Sequence, residues 1–259
     1  GPKPKSNGAQ NKREHSSARL PNHKLHSIIK DIVGTLFKKL RGIESMEPII
    51  RKETPRDYRA VETMTRNAFY NIYVPGCIEH YLVHTMRSHE DFIPELDFVL
   101  ELDGQVIGNI MYTRAALLDE HGGRKEILTF GPLCIAPAYQ RSGYGKRLME
   151  YSFAQAVSMG YDAIVIFGDP ANYISSGFRS CKKYGVCTED GRYPSAMLVK
   201  ELQPGAFSGK KWRYRGSAAL EIDEAAAQQY DETLEPKIKC HQPSQETFYI
   251  LSQSFLPDD

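Results

Sequence analysis

The sequence predicts a mixed α/β fold, in which a central, mostly antiparallel sheet contains one parallel strand–helix–strand unit and is flanked by helices. Three observations carry that expectation. Asp103-Gly104 separates two apolar runs, 98–102 and 106–112, and Asp-Gly supplies the positive φ values that a tight hairpin turn requires. Ala163–Phe167 is a nearly all-apolar, β-branched run of the kind found in strands buried on both faces. Between residue 135 and that run, Pro137 stops a strand and a glycine-rich turn follows. Leu148, Met149, Phe153, Ala156 and Val157 then recur at helical spacing up to Gly160.

Taken in order, residues 1–22 are polar and almost free of apolar side chains, so they cannot bury enough surface to offset the entropy of ordering. They are expected to be a disordered tail, and Gly1-Pro2 has the form of a tag-cleavage remnant. Residues 23–45 repeat apolar positions (Leu25, Ile28, Ile29, Ile32, Leu36, Leu40) among lysines, the pattern of a basic amphipathic helix. That helix can serve an anionic surface, a partner, the domain itself or a second copy in a homodimer. Residues 46–215 read as the main domain. A strand is expected over 49–52, helices over 57–69 and 78–87, the hairpin already described, and a reversal at His121-Gly122-Gly123 into a strand over 127–135. After the parallel unit, strands are expected over 196–202 and 212–214. A helix over 221–229 belongs to a C-terminal extension, 216–259, expected to pack on the domain.

Composition narrows the class without naming a function. A chain of 259 residues, 41% hydrophobic and 25% charged, is that of an ordinary globular protein. Its apolar runs fall well short of the roughly 20 residues that cross a bilayer, and no signal-peptide core is present, so a cytoplasmic protein without a transmembrane segment is expected. The five cysteines are scattered and form no CxxC pair, which argues against a disulfide framework or a structural zinc site. His80 and His84 lie four apart, but Tyr81 stands where the metalloprotease motif HExxH needs a glutamate. Residues 1–45 hold ten Lys or Arg against Glu14, Asp31 and Glu44. With only Phe37 as an aromatic, that segment lacks the basic–aromatic interleaving of a nucleic-acid surface, and no nucleic acid is expected as a partner.

The chemistry concentrates at Gln140-Arg141-Ser142-Gly143-Tyr144-Gly145. A glycine-containing turn between a strand and a helix offers free backbone N–H groups and the positive end of the helix dipole, a ready anion site. A dinucleotide fingerprint needs a small residue where Leu148 stands, and a P-loop needs Ser or Thr in place of Arg147 and glycine in place of Gln140. Both fail. The hexapeptide instead matches Gln/Arg-x-x-Gly-x-Gly/Ala, and Tyr173-Ile174-Ser175-Ser176-Gly177-Phe178 matches a later Tyr-x-x-x-Gly-Phe. On these two motifs, residues of about 48–215 resemble the GNAT superfamily of N-acetyltransferases. Gly168-Asp169-Pro170 is similar to a bacterial subgroup of small-molecule acetyltransferases within it.

The resemblance implies acetyl-CoA as acetyl donor, with its pyrophosphate on the backbone of Gln140, Arg141, Ser142, Gly143, Tyr144, Gly145 and Lys146. It implies that Leu133, Cys134 and Ile135 pair with the pantetheine arm like an added strand, and that Tyr173 is the general acid that protonates the departing thiolate. An amine-bearing small molecule or peptide is the expected acceptor, attacking directly in a ternary complex. The general base stays open. Protein-acetylating relatives carry a carboxylate four residues before the position of Leu133, where this chain has Thr129. Glu126 is three residues off and should face the other way in a regular strand, so Asp169 is the candidate base or substrate contact, with Tyr70, His80 and His84 as further possibilities. An acetyl-CoA-binding sensor without turnover is the alternative function.

Overall fold

The computed structural model describes residues 47–257. The tail and the basic helix expected over 1–22 and 23–45 lie outside them. Strand β1 (Ile49–Lys52) is followed by helices α1 (Tyr58–Phe69) and α2 (Glu79–Met86). The hairpin β2 (Phe98–Leu102) and β3 (Gln105–Asp119) turns on Asp103 and Gly104, whose φ values of 51° and 77° are those the Asp-Gly pair anticipates. Strand β4 (Arg124–Ile135), helix α3 (Tyr144–Ser158) and strand β5 (Ala163–Phe167) form the parallel unit. Beyond lie the four-residue helix α4 (Pro170–Tyr173) and short strands β6 (Arg179–Ser180), β7 (Val186–Cys187) and β8 (Tyr193–Pro194). Strands β9 (Met197–Glu201) and β10 (Trp212–Arg215), helices α5 (Glu224–Glu232) and α6 (Pro243–Gln253), and strand β11 (Phe255–Leu256) follow within the described residues.

The main sheet runs β1-β2-β3-β4-β5-β9-β6, antiparallel throughout this path except for β4 with β5. Strand β3 is longer than the sequence suggested because its far half finds another partner. β2 covers residues 105–110 of β3, and β10 then pairs with 116–119. Alternation sorts the core onto both faces. Ile164 and Ile166 of β5 join Leu148, Phe153 and Ala156 of α3 in one cluster, while Ala163 and Val165 join Ile127, Val199 and Trp212 in another. Val61 of α1 and Leu82, Val83 and Met86 of α2 cover Val99 and Met111. The sheet is thus clamped between α3 on one side and α1 and α2 on the other.

Two features of β4 prepare the site. A register shift opposite β3, between Ile110↔Leu133 and Tyr112↔Phe130, leaves an extra residue in β4 beside Gly131 and Pro132. Such a bulge bends its strand and increases the local twist. On the other side, β4 and β5 share a single ladder pair, Leu128↔Ile164, and beyond it the two strands are no longer paired. The segment 216–257 is tied to α1 and the residues that follow it by polar contacts: Arg66 Nε donates to Asp231 Oδ1 at 2.7 Å, and Asn71 Nδ2 donates to the Ile238 carbonyl at 3.0 Å.

Candidate active site

A cleft of about 560 Å³ opens where β4 and β5 part. Its floor includes Leu133, Cys134 and Ile135, and its rim includes Gln140, Arg141, Tyr144, Gly145 and Lys146. Leu133–Ile135 are paired with β3 on one edge only, so the opposite edge offers backbone groups for an extended ligand. Gly143 stands at the N-cap of α3 with φ 84°, a left-handed conformation that glycine adopts without strain, and Arg141 is also left-handed at φ 60°. No side chain caps the helix. The Arg147 N–H is bonded to the Gly143 carbonyl at 3.1 Å, so the N–H groups of Tyr144, Gly145 and Lys146 precede the first intrahelical bond.

The glycines leave space that the protein itself does not use. A Cβ on Gly145 would meet only Ile135 Cγ1, at an ordinary 3.7 Å, and one on Gly143 would meet nothing within 4 Å. A glycine inside a helix costs about 0.5–1 kcal/mol relative to alanine. The open space over Gly145, the free N–H groups and the positive end of a 15-residue helix fit an anionic group that approaches the backbone closely.

Tyr173 ends α4 and borders the same cleft. Its ring lies between Phe130 and Phe178, at centroid distances of 6.0 and 5.8 Å, and against Gly168, where a Cβ would come within 2.5 Å of Tyr173 Cε2. Gly168 is therefore a packing requirement for this ring. The Tyr173 hydroxyl has no protein hydrogen-bond partner among the described residues. Burial first, and then Tyr73 and Asp169, push its pKa well above the ordinary value, so it keeps its proton at neutral pH.

The wall contributed by α1, α2 and the segment between them carries Phe69, Ile72, Tyr73, Glu79 and Leu82. Glu79 is in the first turn of α2, and its Oε2 accepts the Ile78 N–H at 3.0 Å. Among the described residues no cation pairs with it. Burial pushes its carboxyl above the usual carboxylate range. Tyr73 is raised by burial and by the charges of Glu79 and Asp169, and its ring packs on Phe69 at 5.8 Å and on Phe248 of α6 at 4.8 Å. Sequence reading passes over both residues. A glutamate at the start of a helix beside two histidines reads as an ordinary cap, and only the fold brings it to the β4 edge.

The remaining candidates have other tasks. Asp169 is exposed, outside the cleft lining, and caps α4 by accepting the Ala171 N–H at 2.9 Å. Glu126 points to solvent with its side chain 51% exposed, near Arg114. Thr129 is buried in the sheet. Tyr70 donates to the Lys237 carbonyl at 3.1 Å, and His84 lies 3.2 Å from Glu62. His80 is buried with Nδ1 3.1 Å from Cys77 Sγ and Nε2 3.1 Å from Asp231 Oδ1. Burial pushes the Cys77 thiol of this Cys–His–Asp array up to about 12, which disfavours the thiolate that a nucleophile needs. Burial likewise pushes Cys134 up to about 12.

Residues 66–178 match the model of the acetyltransferase (GNAT) family, a span that holds the loop, the β4 edge and Tyr173. The uncharacterised N-acetyltransferase YhbS of Escherichia coli K12 is 28% identical over 162 residues, covering 62% of this chain and 91% of that protein. Over residues 66–178 the chain is thus similar to the GNAT acetyltransferase family. Solved GNAT structures have the same fold. That of Escherichia coli YhbS in complex with CoA superposes with a TM-score of 0.59 at 24% identity, covering 70% of this chain and 95% of the other. A GNAT acetyltransferase from Brucella melitensis in complex with acetyl-CoA gives 0.52 at 25% identity, covering 67% and 97%. No helix among the described residues is long and apolar enough to cross a membrane.

Proposed function

We propose that this protein is a GNAT N-acetyltransferase that transfers an acetyl group from acetyl-CoA to a primary amine. The observation that carries the reading is one cleft with an uncapped helix N-terminus at one end, an unpaired strand edge along its floor, and a protonated, partnerless tyrosine hydroxyl on its wall. The acetyl-CoA and CoA complexes of similar proteins support it.

In this reading the N–H groups of Tyr144, Gly145 and Lys146 hold the pyrophosphate, while Arg141 and Lys146 add positive charge at the rim. The open edge of Leu133–Ile135 pairs with the pantetheine amides as an added strand, which fixes the thioester beside Tyr173. The donor supplies an activated acyl group. Tyr173, which holds its proton at neutral pH, delivers it to the departing sulfur. Cys134 is on the floor, but a thiol raised to about 12 presents little thiolate at neutral pH, so it is a poor acyl carrier. Direct attack by the amine in a ternary complex is favoured over a covalent relay. A sensor without turnover would have no use for a partnerless hydroxyl and a carboxylate without a counter-cation bordering the cleft.

Calorimetry with acetyl-CoA, followed by thiol release across a panel of primary amines and peptides, tests the reading. Saturable binding with amine-dependent thiol release is expected. Absence of acetyl-CoA binding would overturn it.

A further inference from the structure

The uncharged wall around Glu79 has a shape and chemistry that the cofactor does not explain. Resting on the acetyl-transfer reading above, we infer that Glu79 binds the acceptor's ammonium group and takes its proton, and that the acceptor is a primary amine on an apolar or aromatic body. Glu79 borders the cleft together with Tyr173 and the β4 residues Leu133 and Cys134. Its carboxylate accepts only backbone amides, those of Ile78 at 3.0 Å and of Glu79 itself, and no cation pairs with it among the described residues. A half-buried carboxylate with no cation is costly, and an ammonium ligand removes that cost. Phe69, Ile72, Tyr73, Leu82 and Phe167 border the same cleft, and their rings and aliphatic groups suit an apolar body.

The proton balance closes with groups on the page. The ammonium gives one proton to Glu79, which passes it to solvent. The free amine nitrogen forms the C–N bond with the acetyl carbon, the C–S bond breaks, and sulfur takes the Tyr173 proton. The second proton lost from nitrogen restores Tyr173. One amide, one thiol and one released proton result, and no redox partner is needed.

Titration isolates Glu79 within the site. Tyr73 and Tyr173 are raised and stay protonated, Cys77 and Cys134 are pushed up to about 12, and His80, which burial pushes down, faces Cys77 and Asp231. Asp169, the other carboxylate that acts on Tyr73 and Tyr173, lies outside the cleft lining and is held at the α4 cap by the Ala171 amide. Binding of an ammonium ligand should therefore weaken as pH falls through the raised Glu79 pKa, because the protonated carboxyl no longer offers a negative charge.

The test uses 2-phenylethylamine, with 2-phenylethanol and ethanolamine as neutral and body-less comparators, titrated by calorimetry into the full chain saturated with CoA. The amine should bind at least tenfold tighter than either comparator, and Glu79→Gln should remove that tenfold while acetyl-CoA affinity stays within twofold. Amine binding by the unaltered protein should also decline on acidification, a readout that does not depend on the variant folding. Equal amine affinity in the Gln variant, or no decline with acid, would overturn the role of Glu79. Acetyl-CoA binding without 2-phenylethylamine binding would overturn the acceptor class alone, whereas no acetyl-CoA binding would overturn the acetyl-transfer reading beneath it.

Discussion

Gly168→Ala places a methyl group against the ring of Tyr173, whose atoms are the three nearest to the new Cβ. The φ of Gly168 is not left-handed, so alanine's backbone preferences are met, and its N–H bond to the Ala196 carbonyl at 2.9 Å is kept. The new Cβ would stand 2.5 Å from Tyr173 Cε2, and reaching an ordinary 3.4 Å contact requires the ring to retreat by about 0.9 Å. Phe130 and Phe178 hold the ring and resist that movement. Overpacking of this kind costs about 1–3 kcal/mol, and misplacing a reacting group by about 1 Å costs up to about 10²-fold in rate. Urea unfolding of a double-mutant cycle checks the cause: the cost of Gly168→Ala should largely vanish in a Tyr173→Ala background. Acetyl-CoA affinity should hold, because the pyrophosphate loop is untouched. The same destabilisation in both backgrounds would refute the claim that Gly168 exists to seat Tyr173.

Three further outcomes follow from the same geometry. Gly145→Asp should fold normally, since its Cβ position is open, yet lose acetyl-CoA stabilisation in a thermal shift, because a carboxylate would occupy the anion site; retained stabilisation would remove the loop from the site. Asp231→Ala should cost about 3–5 kcal/mol by leaving Arg66 buried and unpaired, and chemical denaturation would reveal a loss below about 1 kcal/mol as a contradiction. Burial and the adjacent Glu53 carboxylate push Asp97 up to about 9, so its contribution to stability, full below the ordinary 3.8, is lost progressively as pH rises to about 9. Asp97→Asn should flatten the melting temperature between pH 5 and 9, and an unchanged slope would show that another group sets it.

What was legible in the sequence was what local chemistry specifies. The Asp103-Gly104 turn, the Ala163–Phe167 strand and the Gly143 helix start each need a particular residue type at a particular φ or degree of burial, and each is found there. Long-range pairing was not legible. Nothing local in 113–119 announces that β10, almost a hundred residues later, extends β3. Helix α6 was missed because its apolar residues remain largely exposed, so no buried stripe marks it. Glu79 escaped for a related reason, since its significance lies in the absence of a cation around it, a property of the fold and not of residues 76–82. Asp169, singled out as a candidate base, is explained by its bond to the Ala171 amide.

The most direct measurement of the account is single-turnover acetyl transfer by Tyr173→Phe, with an acceptor drawn from the thiol-release panel. The hydroxyl has no protein partner among the described residues, so its removal leaves no group unsatisfied, and the ring's contacts with Phe130 and Phe178 remain. The melting temperature and acetyl-CoA affinity should hardly move, while the chemical step falls by about 10²-fold or more, as expected for a lost general acid. A single-turnover rate equal to that of the unaltered protein would contradict the account at its centre.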